Sequence, residues 1–118
     1  MNKLIILLRK KPGMSMRQFM EYYEDVHIPF VKTVLPSLGS RYVRNYLTHP
    51  PILADGGLNP APYFDVITEL WFDRKDEYDG FIARLNDKDT YSVLREDQEK
   101  FLDTSIVQII PVTELGDA

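Results

Sequence analysis

The run Leu4-Ile5-Ile6-Leu7-Leu8 constrains this chain more than any other stretch. It is apolar at every position, so a strand built from it offers a water-averse surface on both faces. It falls short of the roughly 7 to 15 apolar residues of a secretory core and the about 20 of a membrane span. Arg9-Lys10-Lys11 and then Pro12-Gly13 close it, which predicts a strand over 3–9 ended by a turn. The far end repeats the theme over 105–112, where Ile106 with Ile110 and Val107 with Ile109 are apolar on opposite faces. Pro111 there implies an edge strand or a strand end.

Between these two strands the pattern changes period. Ser15-Met16-Arg17-Gln18 fits a capping box. The apolar residues Met16, Phe19, Met20, Tyr23, Val26, Phe30, Val31 and Val34 then recur at helical spacing. Pro29 lacks a donor and disfavours helical geometry at Ile28, which predicts a kink or break just after His27. Strands are predicted over 41–49 and 63–72, separated by a turn-rich loop over 50–62, and helical stretches over 74–86, with Asp73 as cap, and over 90–102. The order is βαββαβ, an α+β, ferredoxin-like single domain spanning 1–118 with a four-stranded antiparallel sheet. Two helices cover one sheet face. The other is expected to be covered by a second copy, because a chain of 118 residues buries only about two thirds of its unfolded surface alone and large exposed apolar patches are uncommon on monomers.

Charge and composition remove several functions. Fourteen Lys and Arg against 18 Asp and Glu leave a net charge of -4, opposite to what phosphate neutralisation in a nucleic-acid binder needs. With no Cys, thiolate nucleophiles, disulfides and Cys-based metal sites are closed. Two His without a third ligand at helical or strand spacing argue against a metal site. No phosphate cradle, nucleophile elbow or dinucleotide fingerprint is present, so no cofactor is expected. A soluble, cytoplasmic protein without nucleic-acid or membrane partners is the expectation.

Three stretches carry a family likeness: Arg9-Lys10-Lys11-Pro12-Gly13-Met14-Ser15 leading into Phe19, Tyr22-Tyr23-Glu24-Asp25-Val26-His27-Ile28-Pro29, and Phe64-Asp65-Val66-Ile67-Thr68-Glu69-Leu70-Trp71-Phe72. A helical Tyr-x-x-x-His-x-Pro combined with a strand Asp-x-x-x-Glu-x-Trp-Phe resembles the EthD family of dimeric α/β-barrel proteins, named for ethyl tert-butyl ether degradation. The resemblance runs from about Lys3 to Val112. It implies a ferredoxin-like protomer, a homodimer with back-to-back sheets, and a small-molecule cavity between each sheet and its helices. Similar members include polyketide-tailoring dehydratases and decarboxylases, with lactone isomerases nearby, while the founding member has no settled chemistry.

His27 is the leading catalytic candidate. It sits in the middle of the apolar helix stripe; a helix C-terminus, Glu24 and Asp25 favour its charged form while burial favours the neutral one. A structural reading as a core histidine bonded to a backbone carbonyl freed by Pro29 stands beside it. Tyr23, one turn earlier on the same face, can stabilise an oxyanion or orient the imidazole. Tyr22 points away from that stripe and is expected to pack on its own helix. In 41–49, Arg41, Val43, Asn45 and Leu47 share one face, and Tyr42, Arg44 and Tyr46 the other. Asn45 is read as a ligand-orienting amide and, as the alternative to Tyr23, the catalytic group that stabilises the enolate, and Arg44 as the partner of Glu69. Asp65 and Glu69 share a face but lie roughly 13 Å apart, too far for a carboxylate dyad. Phe19, Met20, Tyr46, Asp65, Trp71 and His49 are candidate substrate contacts. His49, beside the 50–62 loop with its apolar Ile52, Leu53 and Leu58, is either a second acid/base under a lid or an exposed loop residue.

These parts suit cofactor-independent proton transfer on a hydrophobic, aromatic or polyketide-like carbonyl compound, with dehydration or decarboxylation preferred. Cyclisation or lactone isomerisation uses the same groups. Cofactor-free oxidation of an anthrone and a non-catalytic ligand-binding accessory role are also compatible with them.

Overall fold

A computed structural model describes residues 2–117. The elements run β1 (Asn2–Leu8), α1 (Met16–Tyr22), a π-helical turn (Tyr23–His27), α2 (Ile28–Val34), β2 (Arg41–Tyr46), β3 (Val66–Phe72), α3 (Lys75–Asn86), α4 (Lys88–Gln98), a 3-10 turn (Thr104–Ile106) and β4 (Gln108–Val112). The strands form one four-stranded sheet in the order β2-β3-β1-β4, every neighbour antiparallel. This is the ferredoxin-like α+β arrangement that the pattern predicts, with Pro111 on the edge strand.

The capping box forms as its residues dictate. Ser15 Oγ accepts from the Gln18 amide at 3.1 Å, and Gln18 Oε1 accepts from the Ser15 amide at 3.0 Å. Asp87 caps α4 by accepting from the Thr90 amide at 3.0 Å. Asp73 does not cap α3: Arg74 holds the N-cap position with no side-chain bond, one residue beyond the acid. The strands at 41–49 and 63–72 are trimmed to β2 and β3, because Pro50, Pro60 and Pro62 bound the loop between them.

Pro29 does not break the helix. The backbone instead widens over Tyr23–His27, where the Ile28 amide bonds to the Tyr23 carbonyl five residues back, and Pro29 falls in the first turn of α2. A proline collides with the carbonyl four residues before it inside a regular α-helix, and it is welcome at a helix start, where its missing donor is not needed. One wide turn satisfies both conditions without ending the helix. Such turns recur at functional sites.

β3 alternates strictly: Val66, Thr68, Leu70 and Phe72 are buried, while Ile67, Glu69 and Trp71 are half-buried. The first set faces the helices, and its Val66, Leu70 and Phe72 join two apolar clusters. One is built on Leu4, Val31, Leu70, Phe72, Phe81 and Leu94, the other on Leu8, Phe19, Tyr23, Val66, Phe101 and Leu102. Gly39, at φ +83°, sits where a Cβ would collide with the Trp71 carbonyl oxygen, so the approach of the chain to β3 requires glycine at this point.

Candidate active site in the seam between two apolar clusters

The site begins with the wide turn. It carries Tyr23 and His27 onto the sheet side, where they are 2% and 7% exposed. His27 stacks at a tilt against Phe101, ring centroids 4.7 Å apart, and meets the edge of Tyr23 at 5.5 Å. Its Nδ1 lies 2.7 Å from Asp97 Oδ2 on α4, itself buried. The other carboxylate oxygen, Oδ1, accepts from the Tyr22 hydroxyl at 2.6 Å. Tyr22 therefore does not pack on its own helix: its ring stacks on Phe101 at 4.9 Å and its hydroxyl reaches across to α4.

This arrangement fixes the histidine's chemistry. A carboxylate is an acceptor only, so Nδ1 carries the hydrogen and donates it. Nε2 is then the basic nitrogen. Burial pushes the imidazole pKa below its ordinary value, outweighing the hydrogen bond and charge of Asp97 that pull it upward. The ring is neutral at pH 7, with Nε2 able to take a proton. Among the described residues no buried side-chain nitrogen or oxygen lacks a partner, so Nε2, which has none, is not sealed off. Tyr22 stays protonated as the donor, its pKa pushed up to about 12 by burial first and Asp97 second.

Beside His27 lies a cavity of about 70 Å³ between sheet and helices, at the seam of the two clusters, with Ile6, Tyr23, Val31, Tyr42, Leu94 and Gln98 among its walls. A chain of hydroxyls ends on it. Thr68 Oγ1 and Tyr23 lie 2.9 Å apart, and Tyr23 and Tyr42 also 2.9 Å. With each hydroxyl donating one step along the chain, the Tyr42 hydrogen is left for whatever oxygen enters. Burial raises the pKa of both tyrosines, so both remain donors at neutral pH. Behind them Glu24 accepts from Arg44 at 2.5 and 3.0 Å and from Tyr46 at 2.7 Å. Arg44, hydrogen-bonding first, holds the Glu24 carboxyl below the usual range.

Arg44 thus pairs with Glu24 and not with Glu69. The register shows why: Arg44 lies opposite Thr68 and faces the helices, while Glu69 lies opposite Val43 on the other face. There Glu69 accepts from Lys3 at 2.9 Å and from Asn45 at 3.0 Å. Asn45 is consequently on the sheet face remote from His27. So is Trp71, whose indole donates to Glu114 at 2.7 Å and lies under the Lys3 ammonium, 4.3 Å from the ring centroid. Asp65 precedes β3 and accepts from the Lys10 amide at 2.8 Å. It shares a separate groove at the base of the 50–62 loop with His49, which is exposed and lies 3.2 Å from Thr48. Phe19 is fully buried beneath the site, Met20 is half-buried, and Tyr46 serves Glu24. Of the candidate residues that the sequence suggests, His27 and Tyr23 meet at the cavity.

Asp97, Tyr22, Tyr42 and Thr68 join the site without being candidates from the sequence. Asp97 carries a readable signal: it interrupts the helical stripe Leu94, Gln98, Phe101 with an acid, and an acid on a buried stripe needs a partner.

A single antiparallel sheet roofed by helices on one face, with an interior cavity that His27, Tyr23 and Tyr42 line and behind which Asp97 and Thr68 stand, defines a ferredoxin-like α+β domain. The EthD domain model matches residues 11–105, and the chain belongs to the EthD family. Solved structures agree on the fold. An EthD family protein of Bacillus halodurans superposes with a TM-score of 0.58 at 15% identity, covering 98% of this chain and 100% of that one. The Arabidopsis thaliana protein At3g17210 gives 0.61 at 15% identity, covering 100% and 99%. HapK of Hahella chejuensis gives 0.58 at 16%, covering 100% and 96%. No curated protein matches the chain. Among the described residues no helix is long and apolar enough to cross a membrane.

Proposed function

We propose that the protein is a cofactor-independent enzyme that moves a proton on an apolar carbonyl compound, with elimination of water or carbon dioxide as the outcome. The observation that carries this reading is the buried, neutral His27, oriented by Asp97 beside an apolar cavity. In a dehydration, Nε2 takes the proton from the carbon next to the carbonyl. The Tyr42 hydroxyl, backed by Tyr23 and Thr68, donates to the enolate oxygen. The enolate then collapses, expelling the β-hydroxyl, which leaves as water with the proton returned from His27. Base and acid are the same residue in succession, so no second titrating group is required.

The test is exchange and turnover in deuterium oxide, followed by nuclear magnetic resonance, with a panel of aromatic β-hydroxy ketones and β-keto acids. The expected result is loss of water from the hydroxy ketones, or loss of carbon dioxide from the keto acids with deuterium entering the carbon beside the carbonyl. A compound that binds but returns unchanged and undeuterated would replace the enzyme with a binding protein.

The protein is further proposed to act as a homodimer joined through the outer sheet face. That face carries Ile5, Leu7, Val43, Ile67, Ile110 and Val112, and the described chain leaves these residues half-buried. Such an apolar surface favours a second copy of itself. Sedimentation equilibrium is expected to return twice the 13.8 kDa chain mass at micromolar concentration, and a stable monomer throughout would defeat it.

A further inference from the structure

The inner cavity beside His27, at about 70 Å³, is too small for a whole aromatic or polyketide-like molecule, since pockets for such ligands run from roughly 300 Å³ upward. It does not stand alone. A groove of about 390 Å³ lies next to it, between α3, α4 and β4, and the two share Leu85, Leu94, Gln98, Val107 and Ile109 as common walls. A ligand whose reacting end sits at His27 has this groove as the space for its remainder.

The groove differs in chemistry from the cavity. Tyr91, Arg95 and Thr104 join its lining, no carboxylate does, and Arg95 is its one charge among the described residues. Arg95 is braced on its own helix: Nε donates to Glu99 at 3.2 Å and Nη1 to the Tyr91 hydroxyl at 3.0 Å. Its Nη2 has no partner among the described residues. Gln98, at the neck, belongs to both spaces, and its side-chain amide is likewise unpaired among the described residues.

The helical wheel of α4 relates the two ends. At about 100° per residue, Asp97 and Arg95 stand roughly 160° apart, with Leu94 and Gln98 between them. Asp97 holds the base at one flank, Leu94 and Gln98 form the floor, and Arg95 waits at the other flank. A helix with its side chains is about 10 to 12 Å across, which sets the span from the reacting carbon to the anchor.

We infer that Arg95 anchors a carboxylate at the far end of the ligand, so that the substrate is an acid whose apolar, carbonyl-bearing end enters the cavity and whose charged end stays in the groove. The inference deepens the proton-transfer reading and rests on it for the position of the reacting end. A guanidinium in a partly apolar groove prefers a planar carboxylate through charge-assisted hydrogen bonds, which exceed neutral ones in strength.

The experiment uses 2-naphthoate and its neutral isostere 2-naphthamide, titrated calorimetrically into the wild-type protein and into Arg95→Gln and Arg95→Lys. Wild type is expected to bind the acid about tenfold more tightly than the amide. Arg95→Gln should erase that preference, the two probes then binding alike, and Arg95→Lys should keep part of it. Thermal melting confirms that each variant is folded. Equal binding of both probes to wild type, or a preference that survives Arg95→Gln, overturns the anchor and leaves the cavity reading intact. Binding of neither probe overturns both. The preference does not depend on turnover, so its presence without loss of water or carbon dioxide and without deuterium exchange would sink the catalytic reading alone.

Discussion

Replacing His27 with Ala is expected to lower turnover by about 10² to 10⁴-fold, the usual range for removing a positioned acid/base, with ligand affinity changed only a few-fold. The ring is a small part of the cavity wall, so binding survives its loss, whereas no other titrating group among the described residues lines the cavity with its pKa near neutrality. The pH dependence follows from the same burial. The folded imidazole holds its proton less tightly than an unfolded one, whose pKa is about 6.5. Above that pH both states are neutral and the folded protein is unpenalised. As pH falls below about 6.5 the unfolded chain takes up a proton that the folded chain resists, so stability declines toward the lower, folded pKa. Turnover falls on the same acidic side, because protonated Nε2 is no base. Denaturant unfolding and kcat/KM measured from pH 5 to 8 should therefore both weaken with acid in the wild type. In His27→Gln the histidine's share of the stability change should vanish. A wild-type rate that rises with acid would refute the assignment of His27 as base.

Asp97→Asn is expected to be nearly as damaging, about 10³-fold in kcat, although it removes no atom of bulk. Asp97 is a positioning residue: it acts through His27 and lines no part of the cavity. The Tyr22 hydroxyl donates to Oδ1 and would keep an amide oxygen on its own side, turning the new NH₂ toward His27. Nδ1 would then have to accept, and the ring hydrogen would move to Nε2, the wrong tautomer for a base. Nitrogen-15 resonances of His27 report that switch directly. Adding Tyr22→Phe to Asp97→Asn frees the amide to turn over, and activity partly restored in that double variant would confirm the origin of the loss. If Asp97 were merely structural, the melting temperature would drop with no change of tautomer.

The fold is legible in the sequence because period and punctuation agree along the chain. The capping box at Ser15, the alternation of 66–72 and Pro111 on the edge strand each form for the reason their residues suggest. The helical tyrosine and histidine are legible too, since a polar ring on an apolar stripe stands out. Asn45, Asp65 and Trp71 read as ligand contacts because alternation tells which residues share a face but not which face meets the helices. That choice is made by the pairing of Tyr42 and Arg44 with the buried side of β3. Asp97 is hidden for a different reason: it lies 70 residues from His27, and only the packing of α4 on the wide turn brings them together. Pro29 misleads because local sterics forbid a regular helix there without saying whether the chain will end it or widen it.

The strict alternation of β3 has a consequence for how the protein can change over time. Seven residues serve two audiences: the even positions answer to the interior, the odd ones to whatever meets the outer face. Because neighbours along the strand share no surroundings, a substitution at Thr68 and one at Glu69 are selected independently. The sheet works as a partition wall, letting the chamber be refurnished for a new guest while the exterior keeps its fit. A mutational scan along 66–72 should therefore split with a period of two, even positions disturbing the buried interior, with the cavity wall at Leu70, and odd positions only the outer face.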